Sequence, residues 1–212
     1  MIKCISIDGP DGAGKTTLIS RLAEKYNAVI LHQFHATGMV PTDPEERKNW
    51  FRRENGMDTT RLYLAGHRLR LASAREFKRG LHYKFLAKDD REKLILIDRG
   101  PLSVRAYTYA ALKKDTNWSN DEIEEFIKKE YDFDNPEKEI VDLSILLFDK
   151  DSLNEVMGRR TYDIDDEMLI RYQYEYYSNH KFDERSVYII NPVKKQEDVL
   201  EETISIINKK VG

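Results

Sequence analysis

"ISIDGPDGAGKTTLISRLAEKY", residues 5–26, decides the fold. An apolar run ends at Asp8, a glycine-rich turn follows, and a stretch with helical spacing begins at Gly14 and runs to about Tyr26. The spacing G-x-x-x-x-G-K-[ST] is filled by Gly9, Gly14, Lys15 and Thr16. It lies between a predicted strand and a predicted helix, which is the context that gives it meaning. Glycines let the backbone curl so that successive N–H groups point inward at an anion. The helix N-terminus adds a partial positive charge. The turn is therefore a phosphate cradle made of Gly9, Asp11, Gly12, Ala13, Gly14, Lys15, Thr16 and Thr17.

The remaining chain has the sheet such a cradle needs. Apolar or β-branched runs recur at 3–8 (KCISID), 28–34 (AVILHQF), 93–98 (KLILID), 143–148 (LSILLF) and 187–190 (VYII). Several are apolar nearly throughout, as strands covered on both faces are. Helical stretches lie between them, at 58–77, 101–114, 119–131, 166–182 and 196–210, with Pro101 suited to a first turn and Ser119 or Asn120 as an N-cap. Strand-helix alternation predicts a parallel sheet with right-handed crossovers. The expected architecture is a P-loop three-layer α/β sandwich: five parallel strands, helices on both faces, and residues 1–212 as one domain.

Composition narrows the partners. The 212 residues are 40% hydrophobic and 34% charged, with net charge −3. This balance gives no reason to expect a nucleic-acid partner. No apolar run approaches the roughly 20 residues of a membrane span, and no leader pattern opens the sequence, so a cytoplasmic protein is expected. The one cysteine, Cys4, sits in an apolar run and reads as a small buried hydrophobe.

The cradle implies ATP with Mg²⁺. Lys15 reaches the β- and γ-phosphates and the Thr16 hydroxyl binds the metal. The run "LILID" ends in Asp98, placed for a second magnesium contact. A GTPase needs an Asn-Lys-x-Asp segment, and "NKKV" at 208–211 lacks the aspartate. An AAA-type or helicase-type motor would carry an acidic pair where Asp98-Arg99 stands.

Three segments resemble thymidylate kinases and related nucleoside monophosphate kinases. The cradle "GPDGAGKTT" is similar to that family's, with Asp11 as its acidic residue. "DRGPLSVRAYTYA" (98–110) is similar to its Asp-Arg-Tyr-x-x-Ser-x-x-Ala-Tyr motif through Asp98, Arg99, Ser103, Ala106 and Tyr107. "TRLYLAGHRLRLA" (60–72) resembles its base-contacting helix, with Arg68 at the arginine position. The resemblance implies phosphoryl transfer from ATP to a nucleoside monophosphate. Asp11 then positions the acceptor, Arg99 clamps its phosphate, Arg68 reads its base, and Leu64, Ser103 and Tyr107 complete the substrate side. It also implies a mobile lid at about 150–166. Arg159 and Arg160 in that lid stabilise the transferring group, because Gly12 stands where another branch of the family carries an arginine. A homodimer is a further implication.

Three substrate-side positions depart from the family pattern. The stretch after the second strand is "HQFHATGMVP" (32–41), the tyrosine of the Asp-Arg-Tyr motif is Gly100, and Leu64 replaces the base-stacking phenylalanine, with Tyr63 beside it. They point to an acceptor other than dTMP. His32 and His35 read as loop or strand-end histidines. The rival readings are a deoxynucleoside kinase, for which Asp43 and Glu45 are distant carboxylate candidates, a non-catalytic nucleotide-binding regulator, and a 5′-end polynucleotide kinase.

Overall fold

The computed structural model of the chain describes residues 3–32, 56–78, 94–131, 140–159 and 164–211. Strands β1 (Lys3–Asp8), β2 (Val29–Leu31), β3 (Leu94–Asp98), β4 (Leu143–Leu147) and β5 (Val187–Ile190) form one sheet in the order β2-β3-β1-β4-β5. Every pairing is parallel, as strand-helix alternation predicts. Ile7 is in register with Asp98 and Asp8 with Leu146, so the C-terminal ends of the three central strands lie level. The cradle grows from that edge.

Both faces are covered, and the period-two rule assigns residues to them. Ile5 and Ile7 of β1, Leu94 and Leu96 of β3, and Leu143, Ile145 and Leu147 of β4 pack with Leu18, Ile19 and Leu22 of α1 (Lys15–Tyr26). Val199 and Ile207 of a C-terminal helix, Gln196–Val211, join the same core. The alternate residues Cys4, Ile95, Ile97 and Leu146 face the other core. There they meet α2 (Gly56–Lys78), α3 (Pro101–Asp115), α4 (Asn120–Glu130) and a long helix at Ile164–Asn179. A short helix, Leu153–Met157, lies in the stretch where a lid is expected. In chain order these last three helices are α5 (Leu153–Met157), α6 (Ile164–Asn179) and α7 (Gln196–Val211).

Boundaries differ from the sequence expectations by a few residues at most. α1 starts at Lys15, with Gly14 as its N-cap, and α6 stops at Asn179 rather than 182. The capping question at α4 resolves to Ser119. Its hydroxyl accepts from the Glu122 N–H while the Glu122 carboxylate accepts from the Ser119 N–H at 2.7 Å, a reciprocal capping box. Cys4 is fully buried and free, and burial pushes its thiol up to about 12. Among the described residues no helix is long and apolar enough to cross a membrane.

Candidate active site

The cradle is built on backbone that only glycine adopts readily. Gly9, Gly12 and Gly14 have φ of 140°, 83° and 90°. A Cβ on Gly9 would lie 2.6 Å from the Leu147 carbonyl oxygen, so the loop passes hard against β4. No side chain caps the N-terminus of α1, which leaves its first-turn N–H groups to an anion. The Gly9 N–H donates to the Ser103 hydroxyl at 3.1 Å, and the Asp11 N–H donates to Gln173 Oε1 at 3.1 Å. Elements distant in sequence thus brace both ends of the turn.

Lys15 is 6% exposed and its ammonium donates to the carbonyls of Gly9 and Pro10 at 2.9 and 2.7 Å. Burial, helped by the nearby Arg99 charge, lowers its pKa to about 8 against the pull of Asp11. Arg99 approaches from the end of β3, and its Nη2 lies 2.6 Å from Asp11 Oδ1. Burial is the largest single influence and works against the Arg99 charge, but its neighbours together, Asp11 foremost with Tyr63, Tyr107 and Asp98, outweigh it and raise its pKa. Asp11 is also 4.0 Å from Lys15 Nζ, so one carboxylate lies between two cations.

These groups line a cavity of about 470 Å³, bounded also by Thr16, Thr17, Arg159 and Pro192. Its size falls in the range of small-molecule sites. Arg159 spans it: Nη1 donates to the Gly12 carbonyl at 3.3 Å and Nη2 to the Pro192 carbonyl at 2.6 Å. Of the two arginines expected in the lid, Arg159 is therefore at the cradle, and Arg160 lies outside the described residues. So do His35, Asp43 and Glu45.

Asp98 is 6% exposed at the end of β3, and its Oδ1 is buried with no hydrogen-bond partner among the described residues. An orphaned buried carboxylate oxygen beside a phosphate cradle fits a hard cation. Among the described residues no three His, Cys, Asp or Glu side chains cluster, so a magnesium ion here would lean on Asp98, Thr16 and phosphate oxygens.

The residues expected on the substrate side do not gather in one place. Ser103 is 4% exposed, with its hydroxyl on the Gly9 N–H and its N–H on Asp8 Oδ1 at 2.7 Å. It braces the cradle rather than facing the cavity. Leu64 is enclosed in the core at 1% exposure. Its neighbour Tyr63 packs on Tyr107 with ring centroids 5.4 Å apart, and the Arg99 guanidinium lies 5.9 Å from the Tyr107 centroid. Tyr63 and Tyr107 thus stand beside Arg99. Arg68 is exposed on the outer side of α2, with Nη1 3.4 Å from the Glu130 carbonyl oxygen.

Sequence reasoning missed Arg70. It is 7% exposed and donates to the carbonyls of Asp98 at 2.6 Å, His32 at 3.2 Å and Arg99. The available signal was helical phase. Leu64, His67, Leu71 and Ala74 form the buried stripe of α2, and Arg70 falls on it whereas Arg68 does not.

The profile of a family described as "AAA domain" matches residues 4–142. A search of curated protein sequences finds no match. Among solved structures, deoxyadenosine kinase from M. mycoides with bound dATP aligns at a TM-score of 0.63 and 16% identity, over 96% of this chain and 98% of its own. Thymidylate kinase from Candida albicans aligns at 0.61 and 17%, over 98% and 91%. At these identities the likeness is one of fold, and the fold is that of the P-loop nucleoside and nucleotide kinases. The matched P-loop domain and the aligned kinase folds together bear out the reading of the chain as a thymidylate kinase-like P-loop kinase.

Proposed function

The chain belongs to the AAA domain family and has the fold of the P-loop kinases, and we propose that it is an ATP-dependent kinase whose acceptor is a nucleoside monophosphate. The observation that carries this reading is convergence: Lys15, Arg99 and Arg159, from three separate segments, line one cavity at a phosphate cradle. Two polyanions must approach one another in such a reaction, and positioned cations offset the repulsion.

The roles follow from placement. The cradle N–H groups and Lys15 hold the β- and γ-phosphates of ATP. Arg159, anchored on Gly12 and Pro192, closes the donor side. Arg99 takes the acceptor phosphate, exchanging its contact with Asp11, and the freed carboxylate orients the acceptor. Tyr63 and Tyr107 flank that side. Thr16 and Asp98 are the residues that would hold Mg²⁺, which supplies charge neutralisation across the transferring phosphoryl group. The reading takes the chain as one catalytic domain acting in the cytoplasm on a small nucleotide, with an acceptor other than dTMP.

A deoxynucleoside acceptor is the second reading. Asp11 already neutralises Arg99, an arrangement that also suits an uncharged hydroxyl. ATP consumption against a panel of nucleoside monophosphates and nucleosides, with Lys15→Ala as control, tests both. Turnover with one monophosphate, lost in the variant, supports the first. Turnover with nucleosides alone supports the second, and silence across the panel with ATP still bound rejects both.

A further inference from the structure

We propose that Arg70 is the positioning residue for Arg99: from within α2 it fixes the backbone conformation from which the Arg99 guanidinium reaches Asp11 and the acceptor. The inference takes from the kinase reading what Arg99 does, and from the geometry alone how Arg99 is held.

Arg99 has φ of 57°, in the left-handed region that residues with a side chain seldom occupy. A residue's φ and ψ are set by the two peptide planes that flank it. The first plane at Arg99 carries the Asp98 carbonyl and the Arg99 N–H, and the second carries the Arg99 carbonyl. Arg70 Nη1 donates to the Asp98 carbonyl at 2.6 Å, and Nη2 donates to the Arg99 carbonyl. From the opposite side the Arg99 N–H donates to the Ile7 carbonyl at 3.1 Å. Both planes are pinned, and the uncommon φ follows.

Only arginine performs this task. Its planar fork presents five donors in fixed directions, whereas a lysine ammonium is a compact charge on a flexible stem. One fork here serves three carbonyls, including His32 at the end of β2. Its plane is steadied by His67, whose Nδ1 lies 2.7 Å from Nη2. A guanidinium has no acceptor, so Nδ1 accepts and the imidazole is neutral. Arg70 is absent from the cavity lining that includes Arg99, so it acts through Arg99 rather than on a ligand.

The test combines structure with a double-mutant cycle, using Arg70→Lys, Arg99→Ala and the double variant of the full chain. In a crystal structure of Arg70→Lys, Arg99 is expected to leave positive φ and its guanidinium to leave Asp11. By calorimetry the best acceptor from the panel should bind about tenfold or more weakly, while a magnesium complex of a non-hydrolysable ATP analogue stays within about twofold. In the Arg99→Ala background, Arg70→Lys should change acceptor affinity no further. Arg99 retained at positive φ on Asp11 overturns the proposal, as do additive losses. If Arg70→Lys does not fold, His67→Ala replaces it, with a smaller loss and the same non-additivity expected. If no nucleoside or nucleotide acceptor binds the native protein, the kinase reading fails and the Arg99 conformation in the variant crystal still decides the role of Arg70.

Discussion

Gly100 and Ser6 are in such close contact that a Cβ on the glycine would lie 2.2 Å from the serine Cβ and 2.8 Å from Asp8 Oδ2. This explains a departure that the sequence left unexplained, the loss of tyrosine from the Asp-Arg-Tyr pattern. Here the N-terminus of α3 is drawn directly onto β1, where Ser6, Asp8 and Ser144 are hydrogen-bonded together. Gly100→Ala should destabilise the protein by about 1–3 kcal/mol or more, since the clash is with a Cβ that cannot swing away. Adding Ser6→Gly should restore part of the loss. Thermal unfolding of the two variants checks this, and an unchanged midpoint in Gly100→Ala would refute the packing.

Lys15 gives a pH signature. Its folded pKa of about 8 lies below the ordinary lysine value of about 10.4. Between these values the unfolded chain holds the extra proton, so Lys15's contribution makes the ligand-free protein more stable as pH rises through that window. Bound phosphate favours the ammonium and raises its pKa. ATP binding near pH 8 should therefore take up a proton, and affinity should fall as pH rises above 8. Calorimetry in buffers of different ionisation enthalpy measures the uptake, which should vanish in Lys15→Met.

Ser103→Ala separates bracing from substrate contact. Removing the hydroxyl leaves the buried Gly9 N–H without its acceptor, at a cost of about 1–3 kcal/mol. ATP affinity should fall with stability, while the acceptor KM stays near its native value. A selective rise in acceptor KM would return Ser103 to the substrate side.

Arg159→Ala should weaken ATP binding by roughly tenfold, an effect consistent with the loss of about one charge-assisted hydrogen bond. Because the guanidinium also joins the Gly12 and Pro192 carbonyls, Arg159→Lys should recover little. Titration of both variants with ATP at fixed ionic strength reads this out. Equal affinities in lysine variant and native protein would mean that charge alone matters.

Cys4 should resist thiol reagents at pH 8, since its thiol is buried and pushed up to about 12. Its modification rate should follow global unfolding in urea. Rapid labelling of the native protein would contradict the central placement of β1.

The sequence and the structure agree where one local pattern carries the information. The cradle is read from glycine spacing between strand and helix, and the strands from runs covered on both faces. The cap of α4 is narrowed to Ser119 or Asn120 by residue type, and the Glu122 capping box selects Ser119. What escaped was information held between segments. Arg68 and Arg70 differ by two positions, yet one is exposed and the other sits beneath the ends of β2 and β3, and only α2's rotation against β3 separates them. Leu64, expected on the substrate side, lies in the core, and its neighbour Tyr63 packs on Tyr107, for the same reason. Gly100 is legible only once α3 and β1 are in contact. Helix α5 escaped because five residues are too few to show a period.

The strand order also sets a timetable. β1 occupies the middle of the sheet, but Lys3 pairs with Leu94 and Ile5 with Leu143. The cradle that follows β1 is braced by Ser103, Gln173 and the Arg159–Pro192 bridge. Loop-closure entropy must be met before such distant pairings reward the chain, which makes folding slow. On the ribosome, the nascent chain therefore carries its phosphate-binding turn early and completes it only after the last strand has emerged. Truncated translation products of this protein will be incompetent to bind nucleotide even though they contain the whole of the motif.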